Sequence, residues 1–144
     1  MTGGSLFYVA PRESLGYIKD EGILTPAEVM MRIKSGRLPK NVLGVSFGGR
    51  DSSNLQEFVS MVSDLDATEI VAEQICFART GRYTNPDFIA IGYEIIPEIR
   101  ERDGFLDETA AKRMNVDCYP SEVLFRGRIE TKFIHPAYFA VRTG

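Results

Sequence analysis

The chain has few of the residue types that hold metal ions or build disulfide frameworks. It contains one histidine, His135, and two cysteines, Cys76 and Cys118, in 144 residues. A structural zinc site needs a cluster of four such ligands, and two cysteines do not make a disulfide framework. We therefore expect no metal cofactor and two reduced thiols, as in a cytoplasmic protein.

Long apolar runs and an excess of basic residues are also missing. No segment approaches the ~20 apolar residues of a membrane-spanning helix. The first residues, Met-Thr-Gly-Gly-Ser, lack the basic start and apolar core of a secretory signal. The net charge of −3 does not make the whole chain attractive to nucleic acid, although a local basic patch is compatible with it. These features predict a cytoplasmic protein with no membrane partner.

The residues that are present predict one domain, 1–144, of the α+β class. Strand-like runs occur at 6–10, 42–47, 87–95, 138–141 and from Glu122 onward. Helical patterns cover 12–21, 25–34, 54–65, 66–79 and 108–114, although the apolar residues of 70–77 also fit a strand. The polar stretch 97–107 predicts an exposed loop. Strands and helices follow no strict βαβ rhythm, which argues against a doubly wound sheet.

Glu122 opens an apolar run that is followed by a basic turn containing glycine and by a second apolar patch ending at Ile134. A glutamate at the start of a strand is commonly a solvated surface residue, so a functional role requires partners that converge on it. Candidates are Arg50, which follows a glycine pair suited to close ligand approach, and Tyr8. Taken alone, Arg50 fits an exposed loop and Tyr8 fits the core. Neither a P-loop nor a dinucleotide-binding glycine motif is present.

Three short segments can be compared with known families. The first runs from Leu6 to Leu24, with an apolar strand, a Ser-Leu helix start and a Gly-Ile-Leu exit. The second is Val45-Ser-Phe-Gly-Gly-Arg50, and the third is Ser121-Glu-Val-Leu124 through Ile134. In this order, the three segments resemble those of DarT-like ADP-ribosyltransferases. The family has histidine and threonine in its first strand where this chain has Tyr8 and Ala10.

The resemblance implies a fold with two small, mostly antiparallel sheets around a central NAD cleft and helices on the outside. It implies that Glu122 orients the nicotinamide ribose and stabilises an oxocarbenium-like transition state, and that Arg50 contacts the NAD phosphates or the acceptor. The cofactor contacts that it implies come from the first two strands: Tyr8, Ala10, Ser46 and Phe47.

These observations lead to an NAD-dependent ADP-ribosyltransferase that modifies nucleic acid or, as a second choice, protein. The alternative is an inactive nucleotide- or nucleic-acid-binding module on the same fold, which the tyrosine and alanine of the first strand favour. A third interpretation is a small protein that interacts with other proteins and binds no ligand. Scattered arginines and a net charge of −3 do not distinguish among DNA, RNA and protein as the acceptor.

Overall fold

A computed structural model describes residues 4–42, 56–113 and 121–143 of the protein. Those residues form six strands: β1 (Leu6–Pro11), β2 (Phe58–Val62), β3 (Ile89–Ile95), β4 (Phe105–Leu106), β5 (Glu122–Arg126) and β6 (Ile134–Arg142). They also form the helices α1 (Leu15–Glu21), α2 (Pro26–Lys34), α3 (Ala67–Thr80) and α4 (Glu108–Arg113). The predicted α+β class is confirmed.

The six strands lie in one sheet with the order β4-β5-β2-β1-β3-β6, and every neighbouring pair is antiparallel. The prediction of two small sheets is therefore wrong for the described residues. The physical reason is the pairing of Phe7 in β1 with Val62 in β2, which joins β4-β5-β2 to β1-β3-β6. By contrast, β1 and β3 pair along the full length of Leu6–Pro11. The two half-sheets thus meet at a narrow seam.

Helices cover both faces of the sheet. Successive side chains of each strand point to opposite faces, and both faces carry apolar side chains that helices bury. On the first face, Leu6 and Ala10 of β1 join a core that includes Tyr17 and Ile18 of α1 and Val29 of α2. On the second face, two separate apolar clusters form. One cluster packs Val9 and Val62 against α3, and the other packs Phe58, Leu106 and Leu124 against Ala110 of α4.

Local signals explain the elements that the sequence predicted well. Thr25 caps α2 by accepting the Glu28 N–H, and the Glu28 carboxylate accepts the Thr25 N–H, so the capping box is formed. α1 ends at Gly22, which adopts φ +89. The helix predicted at 66–79 is α3, although the Asp66 side chain makes no capping hydrogen bond. The strand predicted at 87–95 corresponds to β3.

Two predictions failed where tertiary contacts decide the structure. The helix predicted at 54–65 is wrong, because Phe58–Val62 is a strand paired with β1 on one side and β5 on the other. Apolar residues occur on both of its faces, so its sequence shows no clear period of two. The loop predicted at 97–107 contains a 3₁₀ turn, Pro97–Glu101, and strand β4. Ile99 in that turn is fully buried and ties the segment to the first-face core.

Gly22 is a position where the neighbouring backbone leaves no room for a side chain. A Cβ there would lie 2.1 Å from the Ile129 carbonyl oxygen, which accepts the Ile23 N–H at 2.9 Å. We expect Gly22→Ala to lower the free energy of unfolding by about 3 kcal/mol or more, from backbone strain plus this clash.

The matched control is Gly36→Ala, because Gly36 has a similar φ of +77 but open space around its Cβ position. That change should cost only the strain of a positive φ, about 1 kcal/mol. Urea denaturation measures both variants. If both variants lost the same free energy of unfolding, the contact with the Ile129 carbonyl would not be what excludes a side chain at position 22.

Candidate functional site at the seam of the sheet

Glu122 is buried at the first position of β5, with 2% of its surface exposed. The expectation of a solvated glutamate is therefore wrong. The residue before it, Ser121, has a positive φ of 68, which non-glycine residues rarely adopt. The Ser63 N–H, one residue past the end of β2, donates to the Ser121 carbonyl at 2.8 Å. The backbone that leads into Glu122 is thus held in a strained and specific conformation.

Ser60, in the middle of β2, donates its hydroxyl hydrogen to Glu122 Oε2. Val62 lies directly opposite Glu122 in the register of β2 and β5, so Ser60 is its diagonal neighbour on the same face. Ser60 is not among the site residues predicted from the sequence. The sequence did contain a signal for it, since Ser60 is the one polar residue in the apolar run Phe58–Val62. The segment was predicted to be helical, so the position of Ser60 on a strand facing Glu122 was not recognised.

This polar pair lies between the two apolar clusters of the second face. Phe58 and Leu124 belong to the cluster at α4, whereas Val62 belongs to the cluster at α3. Ser60 and Glu122 separate them on β2 and β5. Because Val62 also pairs with Phe7 of β1, the carboxylate lies close to the seam between the half-sheets. The site therefore combines a buried acid, a hydroxyl partner and a junction in the sheet.

The structure does not bring Tyr8 and Ala10 to the same face as Glu122. Glu122, Val62 and Phe7 are in register across three strands, so their side chains share the second face. Tyr8 and Ala10 alternate with Phe7 and project from the first face, where both pack on the core. The β1 side chains on the Glu122 face are Phe7 and Val9, which carry no charge.

Tyr8 has an environment that keeps its phenol protonated. Burial raises its pKa well above the ordinary value, and the nearby Tyr17 and Tyr93 raise it further. Ala10 is completely buried. The first strand therefore contributes a neutral hydroxyl and an apolar wall to the first face, rather than a charged group.

Three other residues that the sequence analysis singled out lie outside the described residues: Ser46, Phe47 and Arg50. Within the described ranges, no three or more His, Cys, Asp or Glu side chains are grouped to hold a metal ion. None of the helices in those ranges has the length and apolar composition needed to cross a membrane.

Comparisons with known proteins add a structural likeness only. No protein-family model matches the chain, and no curated protein matches it. Among solved structures, the chain is similar to EcPltA, with 16% sequence identity and a TM-score of 0.41. The match covers 90% of this chain and 71% of EcPltA. A likeness at this TM-score assigns neither a fold family nor a function.

The hydrogen bond from Ser60 predicts a measurable contribution to stability. Ser60→Ala removes a donor from a buried carboxylate, which is expected to lower the free energy of unfolding by about 1–3 kcal/mol. The matched control is Ser63→Ala, whose exposed hydroxyl donates to the Ser121 carbonyl at 3.2 Å. We expect the control to stay within about 0.5 kcal/mol of the wild type.

Chemical denaturation monitored by tyrosine fluorescence measures both changes, since the chain has no tryptophan. If Ser60→Ala were as stable as Ser63→Ala, the contact between Ser60 and Glu122 would not hold the carboxylate in place.

Proposed function

We propose that the protein is an NAD-dependent ADP-ribosyltransferase that modifies nucleic acid in the cytoplasm. The observation that carries this proposal is the buried Glu122, held by Ser60 beside the seam of the sheet. A carboxylate fixed in this way suits a reaction in which positive charge develops on a sugar carbon. The resemblance to DarT-like proteins, which includes Glu122, supports the same reaction.

Glu122 would act on the nicotinamide ribose. As the bond from C1′ to the nicotinamide nitrogen breaks, its electron pair leaves with nicotinamide and C1′ becomes positively charged. The Glu122 carboxylate stabilises that charge because it is already in place and needs no reorganisation. A nucleophilic atom of the acceptor then bonds to C1′ and loses its proton. The products are free nicotinamide and the ADP-ribosylated acceptor.

Ser60 is a positioning residue in this mechanism. Its hydroxyl fixes one carboxylate oxygen of Glu122, which limits the rotation of the acid about its side-chain bonds. The strained backbone at Ser121 and the Ser63 hydrogen bond fix the other end of the same side chain. Orientation of this kind matters because a small displacement of a catalytic group slows a reaction strongly.

The described residues fit the ribose end of NAD better than its phosphates. A carboxylate and a hydroxyl suit the hydroxyl groups of a ribose. The β1 side chains on this face, Phe7 and Val9, offer no charge to a pyrophosphate. The proposal assigns the phosphate or acceptor contact to Arg50. NAD, when bound, supplies the ribosyl carbon to which the acceptor is joined.

The second candidate function is an inactive module that binds a nucleotide or nucleic acid. It is favoured by the position of Tyr8 and Ala10 on the face opposite Glu122, away from the proposed NAD contacts. Only the transferase turns NAD over, so an assay of group transfer separates the two functions.

Replacement of Glu122 by glutamine tests the proposed reaction. Glu122→Gln keeps the shape and can still accept the Ser60 hydrogen bond, but removes the charge that offsets the developing cation. We expect the rate of labelled ADP-ribose transfer from NAD to single-stranded DNA or RNA to fall by about 10²–10³-fold. Protein extract serves as a third acceptor.

The chain offers a matched control in Glu94→Gln. Glu94 lies in β3 on the same face of the sheet and accepts the Ser5 hydroxyl at 2.5 Å, but it is two strands from Val62. Removal of the Glu94 charge should leave the rate of ADP-ribose transfer unchanged. Equal labelling by Glu122→Gln and the wild type would remove Glu122 from the mechanism.

A binding measurement separates an inactive module from a protein that does not bind NAD. NAD at about 100 times its Kd stabilises a folded protein by about 2.7 kcal/mol, which raises the melting temperature. Stabilisation without transfer to any acceptor would support the inactive module. The absence of both would contradict the transferase and would favour a module that binds nucleic acid or a nucleotide other than NAD.

A further inference from the structure

A cavity of about 540 Å³ lies on the first face of the sheet, away from Glu122. Its walls come from α1, from β3 and from the start of β6 with the turn before it. The volume falls within the range of small-molecule sites, roughly 300–1,000 Å³. Its size and position therefore raise the question of which ligand its side chains would recognise.

The lining favours an anion. It contains one cation, Lys19 of α1, and a histidine, His135 of β6, and none of its residues is an aspartate or glutamate. Lys19 forms no ion pair within the described residues. The His135 Nδ1 atom accepts the Ala137 N–H at 3.1 Å, which leaves Nε2 as the ring atom that can reach a ligand.

Tyr93 of β3 also lines the cavity, and its hydroxyl has no hydrogen-bond partner within the part of the chain that the structure describes. Only 4% of its surface is exposed, and no partner among the described residues makes a hydrogen bond of normal geometry to its buried hydroxyl. Ser14 lies near it and donates to the Pro11 carbonyl at 2.6 Å, but it makes no hydrogen bond of normal geometry with the Tyr93 hydroxyl. A buried hydroxyl without a partner is unfavourable, and a ligand acceptor would correct this.

The Tyr93 hydroxyl is a donor at neutral pH. Burial raises the pKa of Tyr93 to about 12, with Tyr138 adding to the rise and Ser14 opposing it. The phenol therefore remains protonated, and it can donate to an oxygen or a ring nitrogen of a ligand.

Aromatic side chains line the same cavity. Tyr93 pairs in register with Tyr8 on one side and with Tyr138 on the other, so the three form a row on the first face. The rings of Tyr93 and Tyr138 have centroids 6.3 Å apart and are tilted by 53°. Tyr138 is 55% exposed, so part of its ring is open to stacking. A planar aromatic ligand suits such a wall.

We propose that this cavity binds a planar aromatic molecule that carries a phosphate group, with the size of a nucleoside monophosphate. Its aromatic ring would stack on Tyr138 and accept the Tyr93 hydrogen bond, while Lys19 and His135 would bind the phosphate. The cavity opens on the face opposite Glu122, so the proposal does not depend on ADP-ribosyl transfer.

An NMR titration of the full chain with AMP tests the proposal. The expected result is a saturable change in the amide signals of the cavity residues Gly16, Lys19 and His135. Adenosine and inorganic phosphate, titrated separately, should each bind more weakly than AMP, because each keeps only part of the ligand.

Two variants and a control assign the contacts. Lys19→Ala and Tyr93→Phe should each weaken AMP binding by about 5- to 20-fold. Tyr93→Phe should also melt at or above the wild-type temperature, since it removes a buried hydroxyl that has no partner. The control is Lys34→Ala, an exposed lysine of α2 outside the cavity, which should bind AMP as the wild type does.

Any of three results would overturn the proposal. The first is no change of the cavity signals at about 10 mM AMP, a concentration that detects even millimolar affinity. The second is a response confined to Ser60 and Glu122, which would place AMP at the other face. The third is wild-type affinity in both Lys19→Ala and Tyr93→Phe.

Discussion

The pairing of Phe7 with Val62 is the constraint on which the arrangement of this protein depends. It makes one sheet of two half-sheets, and it sets which side chains of the two halves share a face. Glu122, Val62, Phe7 and Glu94 consequently form a row on the second face. If the register shifted by one residue, every side chain of one half would change face relative to the other. The separation of Glu122 from Tyr8 follows directly from this pairing.

The sequence predicted those elements whose signals lie within a few residues. The capping box of α2 needs only Thr25 and Glu28, and the end of α1 needs only a glycine at position 22. Strand β2 has no such signal. Both faces of Phe58–Val62 are largely buried because apolar clusters cover the sheet on each side there. The place of β2 within the sheet depends on β1 and β5, which are distant in the sequence. The prediction of two sheets failed for the same reason.

The candidate site was predictable in part. The resemblance to a family pointed to Glu122, but the burial of its carboxylate and the role of Ser60 depend on a contact between residues 62 positions apart. The cavity on the first face was also not predictable from the sequence. Its lining comes from α1, β3 and β6, and no short stretch of sequence contains more than one of these elements. Local patterns therefore show where chemistry-bearing residues occur, whereas the pairing of strands decides which of them meet.

The position of Glu122 and Ser60 is not explained by packing. They lie between the apolar clusters at α3 and α4, where two well-packed apolar side chains would be stable. Burial of a carboxylate is costly even with a hydroxyl partner, and the positive φ of Ser121 adds strain next to it. Such local departures from the most stable arrangement are expected where a side chain has a function. The buried carboxylate and the strained backbone occur at adjacent residues, and the role proposed for Glu122 would account for both.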